Sequence, residues 1–109
     1  MTRSRAFSPQ ALRALAVLAD AGTEWRHGYD ITAQSGLKSG TLYPLLMRLE
    51  AAGQLEARWE ESPIAGRPAR HVYRLTAAGV ALVASLAASI ADARASLQRP
   101  SGIPQAGMP

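Results

Sequence analysis

The side chains best suited to chemistry in this sequence are cations held apart from acids. Arg67 stands between Gly66 and Pro68, and Arg70, His71 and Arg74 follow; residues 62–74 hold no carboxylate. Arg3, Arg5 and Arg13 fall in residues 1–13, again without an acid. The acids sit elsewhere, as Asp20, Glu24 and Asp30 early in the chain and Glu50, Glu56, Glu60 and Glu61 in its middle. Unneutralised guanidinium groups pair with phosphates and release counterions, so two such segments suggest two contacts with one polyanion. A milder group lies between them: Lys38, Ser39, Gly40, Thr41 and Tyr43, with Arg48 beyond. Short hydroxyls and a small glycine let backbone approach a phosphate, and a helix beginning there adds its own attraction for anions.

Other chemistries are poorly served. The chain has 109 residues, 12 Lys+Arg against 8 Asp+Glu, a net charge of +4 and no cysteine. A disulfide framework, a thiolate zinc site and a cysteine nucleophile are therefore excluded. His27 and His71 are the two histidines. His27 and Asp30 are three apart, but no further ligand or nucleophile converges on them, so we expect no enzyme, no metal and no cofactor. No apolar run approaches the roughly 18 residues that span a bilayer. Residues 1–10 lack the apolar core of a signal peptide, and a cytoplasmic protein without membrane contact is expected.

The elements that must position these cations follow from periodicity. Ser8-Pro9 reads as an N-cap and first helical residue, and Leu12, Leu15, Ala16 and Ala19 share one stripe of a helix that Gly22 stops. A short second helix is expected over about 28–35, ended by Gly36. A third carries Leu42, Leu45, Leu46 and Leu49 on one face, capped by Ser39 or Thr41 and stopped by Gly53. Pro44 suits the Thr41 cap, whereas a Ser39 cap forfeits one backbone bond.

After Gly53 the period drops to two. Leu55, Ala57 and Trp59 alternate with Glu56, Arg58 and Glu60; after a loop, His71, Tyr73 and Leu75 alternate with Arg70, Val72 and Arg74. These are the strands of a hairpin with a long basic tip. Trp25 and Trp59 are expected in the core. Thr76 caps a single last helix whose Leu82, Leu86, Ile90, Ala93 and Leu97 form a near-heptad stripe, beside a second stripe of Val80, Val83 and Ala87.

This order is that of a winged helix-turn-helix: mainly helical, with a small antiparallel hairpin and a C-terminal dimerisation helix. The organisation expected is a basic arm over 1–7, a DNA-binding domain over 8–76, a dimerisation helix over 77–98 and a disordered tail over 99–109. In such a unit the third helix presents Lys38, Ser39, Thr41 and Tyr43 to the major groove of duplex DNA, with Arg48 on a phosphate. Gly66, Arg67 and Pro68 suit a narrow minor groove, with Arg70 in the same acid-free wing segment. A last helix apolar on two faces has more surface than one small domain can cover, so the Leu82–Leu97 stripe is expected to join a homodimer on a palindromic site. A winged helix that docks proteins instead of DNA is the competing expectation.

Gly28-Tyr29-Asp30-Ile31, the segment GTLYPLLMRLE, and GRPARHVYRLT at the following distance together resemble the PadR family of bacterial transcriptional regulators, over about residues 10–80. The resemblance implies a homodimeric repressor that leaves its operator when a small-molecule effector binds. It places Tyr29 against the DNA backbone, Ser39, Thr41 and Tyr43 in the recognition helix, and Gly66, Arg67 and Pro68 in the wing. Residues 77–97 contain no aromatic side chain, so stacking of flat drugs by this helix is not expected.

Overall fold

The computed structural model describes residues 7–98. Residues 1–6 of the arm expected over 1–7, and all of the tail expected over 99–109, lie outside the described residues. Helix α1 (Pro9–Ala21) starts as its sequence dictates: the Ser8 hydroxyl accepts the N–H of Ala11 at 3.1 Å, and Pro9 occupies the first turn. Ala14, Leu15, Ala16 and Leu18 are almost wholly buried, which makes α1 the central post of the domain. Strand β1 (Arg26–His27) leads directly into α2 (Gly28–Ser35). Gly36 then turns the chain in the left-handed region, φ 74°, which a side-chain-bearing residue adopts only at a cost. The buried Ser35 hydroxyl seals this turn by accepting the N–H of Leu37 at 3.2 Å.

Helix α3 (Ser39–Ala51) packs Leu42, Leu45, Leu46 and Leu49 inward, as the three-four spacing requires. Its N-cap is Lys38, one residue before Ser39 and three before Thr41, and no side chain caps it. Pro44 therefore lies within the helix, and the Gly40 carbonyl loses its normal N–H partner. Gly40 is exposed, so water can take that place.

Strands β2 (Leu55–Glu60) and β3 (Arg70–Leu75) form the expected antiparallel hairpin, with Leu55 opposite Leu75, Ala57 opposite Tyr73 and Trp59 opposite His71. The hairpin is two strands of a three-stranded sheet in the order β1-β3-β2. β1 occupies what reads in sequence as a polar connection, because two residues are too few to show alternation. Leu55, Tyr73 and Leu75 close the core against α1 and α3.

The C-terminal region corrects the single-helix expectation. Thr76 caps α4 (Ala77–Ser85) by accepting the N–H of Gly79 at 3.1 Å, and its own hydroxyl donates to the Gly53 carbonyl at 2.7 Å. The chain then breaks at Leu86, whose N–H is shared between the carbonyls of Leu82 and Val83. Helix α5 (Ala87–Gln98) leaves at 87° to α4. No single helix among the described residues is long and apolar enough to cross a membrane. The bend sends α5 back along α1, where Ile90 is 2% exposed within its own chain and Arg94 pairs with Asp20 at 2.9 Å. The expected dimer stripe is thus largely spent inside the subunit: Ile90 is buried, and Leu82, Leu86 and Leu97 lean on the same core. α5 shares one core with α1, so the expected boundary at residue 77 does not separate two packing units.

Candidate nucleic-acid interface

With the leucine stripe of α3 turned inward, the opposite face is open. Lys38, Ser39, Gly40 and Thr41 are exposed at its start, and Arg48 is exposed about two turns later. Ser39, Gly40, Tyr43, Pro44, Met47 and Arg48 line a single open surface. Sequence reasoning missed Met47, which is 67% exposed. The signal was present: 40, 43, 44 and 47 share a helix face at three-four spacing, opposite the leucines. Because no side chain caps α3, the N–H groups of Ser39 and Gly40 at its first turn are available to an outside acceptor.

Tyr43 is not a free probe. Its hydroxyl lies against the Cα of Gly28, where a methyl group would collide with it. The start of α2 thereby sets where this side chain stands on α3. Tyr29, in the first turn of α2, is 79% exposed and flanks the same junction. Deeper in, Tyr73 is 4% exposed, and its phenol is held above the ordinary value of 10.0 by burial first and then by Tyr43 and Glu50.

The wing forms a second surface. Gly66 adopts φ 85°, which folds the tip back so that the Arg67 N–H reaches the Ile64 carbonyl at 3.2 Å. Arg67, Pro68 and Arg70 are all exposed. Other arginines are engaged: Arg74 pairs with Glu56 at 3.3 Å, and Arg58 and Arg74 lie on the Trp25 ring at 4.2 and 4.5 Å. By contrast Lys38, Arg48, Arg67 and Arg70 take part in no ion pair among the described residues.

The base of the wing is clasped by His27. Its Nε2 lies 2.9 Å from Glu60 at the end of β2, and its Nδ1 3.3 Å from Asp30 in α2. The His27–Asp30 spacing noted in the sequence thus serves to tie wing to helix, and it removes Glu60 from the free negative charge near the tip. Both tryptophans depart from expectation. Trp25 is half-buried against two guanidinium groups, and Trp59 is 67% exposed, stacked on His71 at 4.3 Å. Strand alternation gives Trp59 the same face as Leu55, but the core ends before the strand does.

Comparison with known proteins agrees with this construction. The chain is 50% identical over 54 residues to the transcriptional regulator Rv3488 of Mycobacterium tuberculosis, a stretch covering 50% of this chain and 42% of that protein. The match therefore spans less than half of that relative's length. A PadR-like transcription factor from Bacteroides fragilis superposes with a TM-score of 0.59 at 28% identity, covering 81% of this chain and 88% of that one. A PadR family regulator from Clostridium difficile shares the fold at 20% identity, with a TM-score of 0.63 over 84% of this chain and 97% of that one. The sequence model of the PadR-like family matches residues 15–85, from the middle of α1 through the end of α4, and the chain belongs to that family of transcriptional regulators.

Proposed function

We propose that this chain is a homodimeric repressor that binds a palindromic operator in duplex DNA. The observation that carries this reading is the start of α3: an exposed, uncapped helix N-terminus bearing Lys38, Ser39 and Thr41, with Tyr43 braced behind it and four leucines anchoring the opposite face. In this reading α3 enters the major groove, Arg48 meets a phosphate and Tyr29 lies against the backbone. The wing places Arg67 between Gly66 and Pro68 in the neighbouring minor groove, with Arg70 on its flank.

A second copy is supported by α4 more than by the Leu82–Leu97 stripe. Only Gly79 of α4 is buried, and Val80 is 54% exposed beside exposed Ala77, Ala81 and Ala84. Ala87, Ala88, Ala91 and Ala95 extend this small-residue surface along α5. Apolar surface left open by the subunit is what a two-fold partner would cover, with Ala93 and the half-buried Leu82, Leu86 and Leu97 at its margin. Ile90 is assigned to the subunit's own core. Release by a small-molecule effector and a cytoplasmic setting complete the reading.

The test is a footprint on DNA flanking the chain's own coding region. Two protected half-sites about one helical turn apart, related by inversion, are expected. A chain that protects no duplex would instead be a winged helix that docks proteins.

A further inference from the structure

Trp59 is the largest apolar side chain that the fold leaves open, and it is not loose. Its indole stacks on the His71 imidazole with only 5° between the planes, and the His71 Nδ1 is engaged by the Tyr73 hydroxyl at 3.2 Å. Tyr73 in turn neighbours Tyr43 of α3. The register puts Trp59 and His71 on the strand face that, two and four pairs nearer the core, carries Ala57 with Tyr73 and Leu55 with Leu75. The aromatic stack therefore continues the α3-facing side of the sheet outward, towards Arg70 and the wing tip. Negative charge on these strands is drawn to other partners: Glu60 to His27 and Glu56 to Arg74. Two acids bound this side: Glu50, which faces Tyr73 from the C-terminal half of α3, and Glu61, exposed just beyond β2 and in no ion pair among the described residues.

We infer that the Trp59–His71 stack is a further contact for the sugar-phosphate backbone of duplex DNA, seated where a strand passes from α3 to the wing. The inference rests on the DNA-binding reading given above and adds a site to it. One indole face is covered by His71 and the other is open, which suits the C–H face of a deoxyribose. The His71 Nε2, with no hydrogen bond among the described residues, is left for a phosphate oxygen. Arg67 and Arg70 supply the charge complementarity beyond it. A planar apolar face reads no base edge, so the contact adds affinity across sequences without specifying one.

The experiment uses the two tryptophans of the chain. Trp25→Phe leaves Trp59 as the sole indole emitter, and calf-thymus duplex DNA at low salt is the probe. Saturating DNA is expected to lower acrylamide quenching of Trp59 about threefold. Trp59→Ala, in the otherwise unaltered chain, is expected to bind the same DNA roughly tenfold more weakly, as for an interfacial aromatic anchor. Its salt slope should be unchanged, because an uncharged side chain releases no counterion. Trp59 is exposed, so its removal should leave the thermal midpoint in place. Trp59 fully open to acrylamide in the DNA-saturated chain, or full affinity in Trp59→Ala, overturns this inference alone. A parent chain that binds no duplex overturns the DNA-binding reading, and this inference with it.

Discussion

Helix α3 and the α4–α5 pair solve opposite problems with similar material. α3 has a narrow leucine stripe, and its subunit buries all of it, leaving a face of short polar groups and cations. α4 is apolar nearly all round, and its subunit covers only one side of it: Gly79 is buried and Leu82 and Val83 are half-buried against the core, while Val80 and the alanines stay exposed. The first helix is complete in one chain and offers groups to an anion. The second is incomplete in one chain and offers bare surface. A stripe matched to the core frees the opposite face for recognition, and a surplus of apolar faces calls for a partner.

The sharpest way to break this contrast is to cut each helix where it is said to be buried or open. Leu46→Ala removes a side chain that is 1% exposed and should cost about 2–5 kcal/mol, read by urea denaturation. Val80→Glu places a charge on a side chain that is 54% exposed. It should leave the helical signal intact but turn a dimer into a monomer at micromolar concentration by sedimentation. A Val80 variant that unfolds like the Leu46 variant would show that α4 is buried by its own chain after all.

Two finer cuts sharpen the recognition side. Gly28→Ala puts a methyl group where the Tyr43 hydroxyl stands. The tyrosine end can swing away, so stability should fall by roughly 1 kcal/mol or less while duplex affinity drops several-fold. The smallest effect concerns Tyr73. Its phenol is raised in the folded chain, so the unfolded chain ionises first and holds fewer protons, and stability falls as pH rises past the ordinary value of 10.0. Tyr73→Phe should flatten that alkaline loss in thermal melts, while costing about 1 kcal/mol at neutral pH for the lost bond to His71.

Much of this arrangement is legible before any coordinates. Ser8-Pro9, the leucine spacing of α3 and the alternation of β2 and β3 each carry a local signal, and each element formed where that signal lay. The exposed face of α3 is legible for the same reason, since it is whatever the leucine stripe excludes. What escaped depended on contacts distant in sequence. β1 exists because β3 offers it an edge, and Arg26 and His27 alone show no period. The Leu86 break carries no proline or glycine; reading through it aligned Leu82, Leu86, Ile90, Ala93 and Leu97 into one stripe that the bend divides. Trp59 obeys its strand's alternation, yet lies past the point where α3 stops covering the sheet, a limit that residue type does not reveal.

In the proposed function, the exposed cations of α3 and the wing engage phosphates of duplex DNA together. The most direct test is the salt dependence of duplex binding, in the parent chain and in Arg67→Ala. Log affinity is expected to fall linearly with log salt, with a slope shallower by about one in the variant. Binding that ignores salt, or an Arg67 variant with an unchanged slope and affinity, would contradict it.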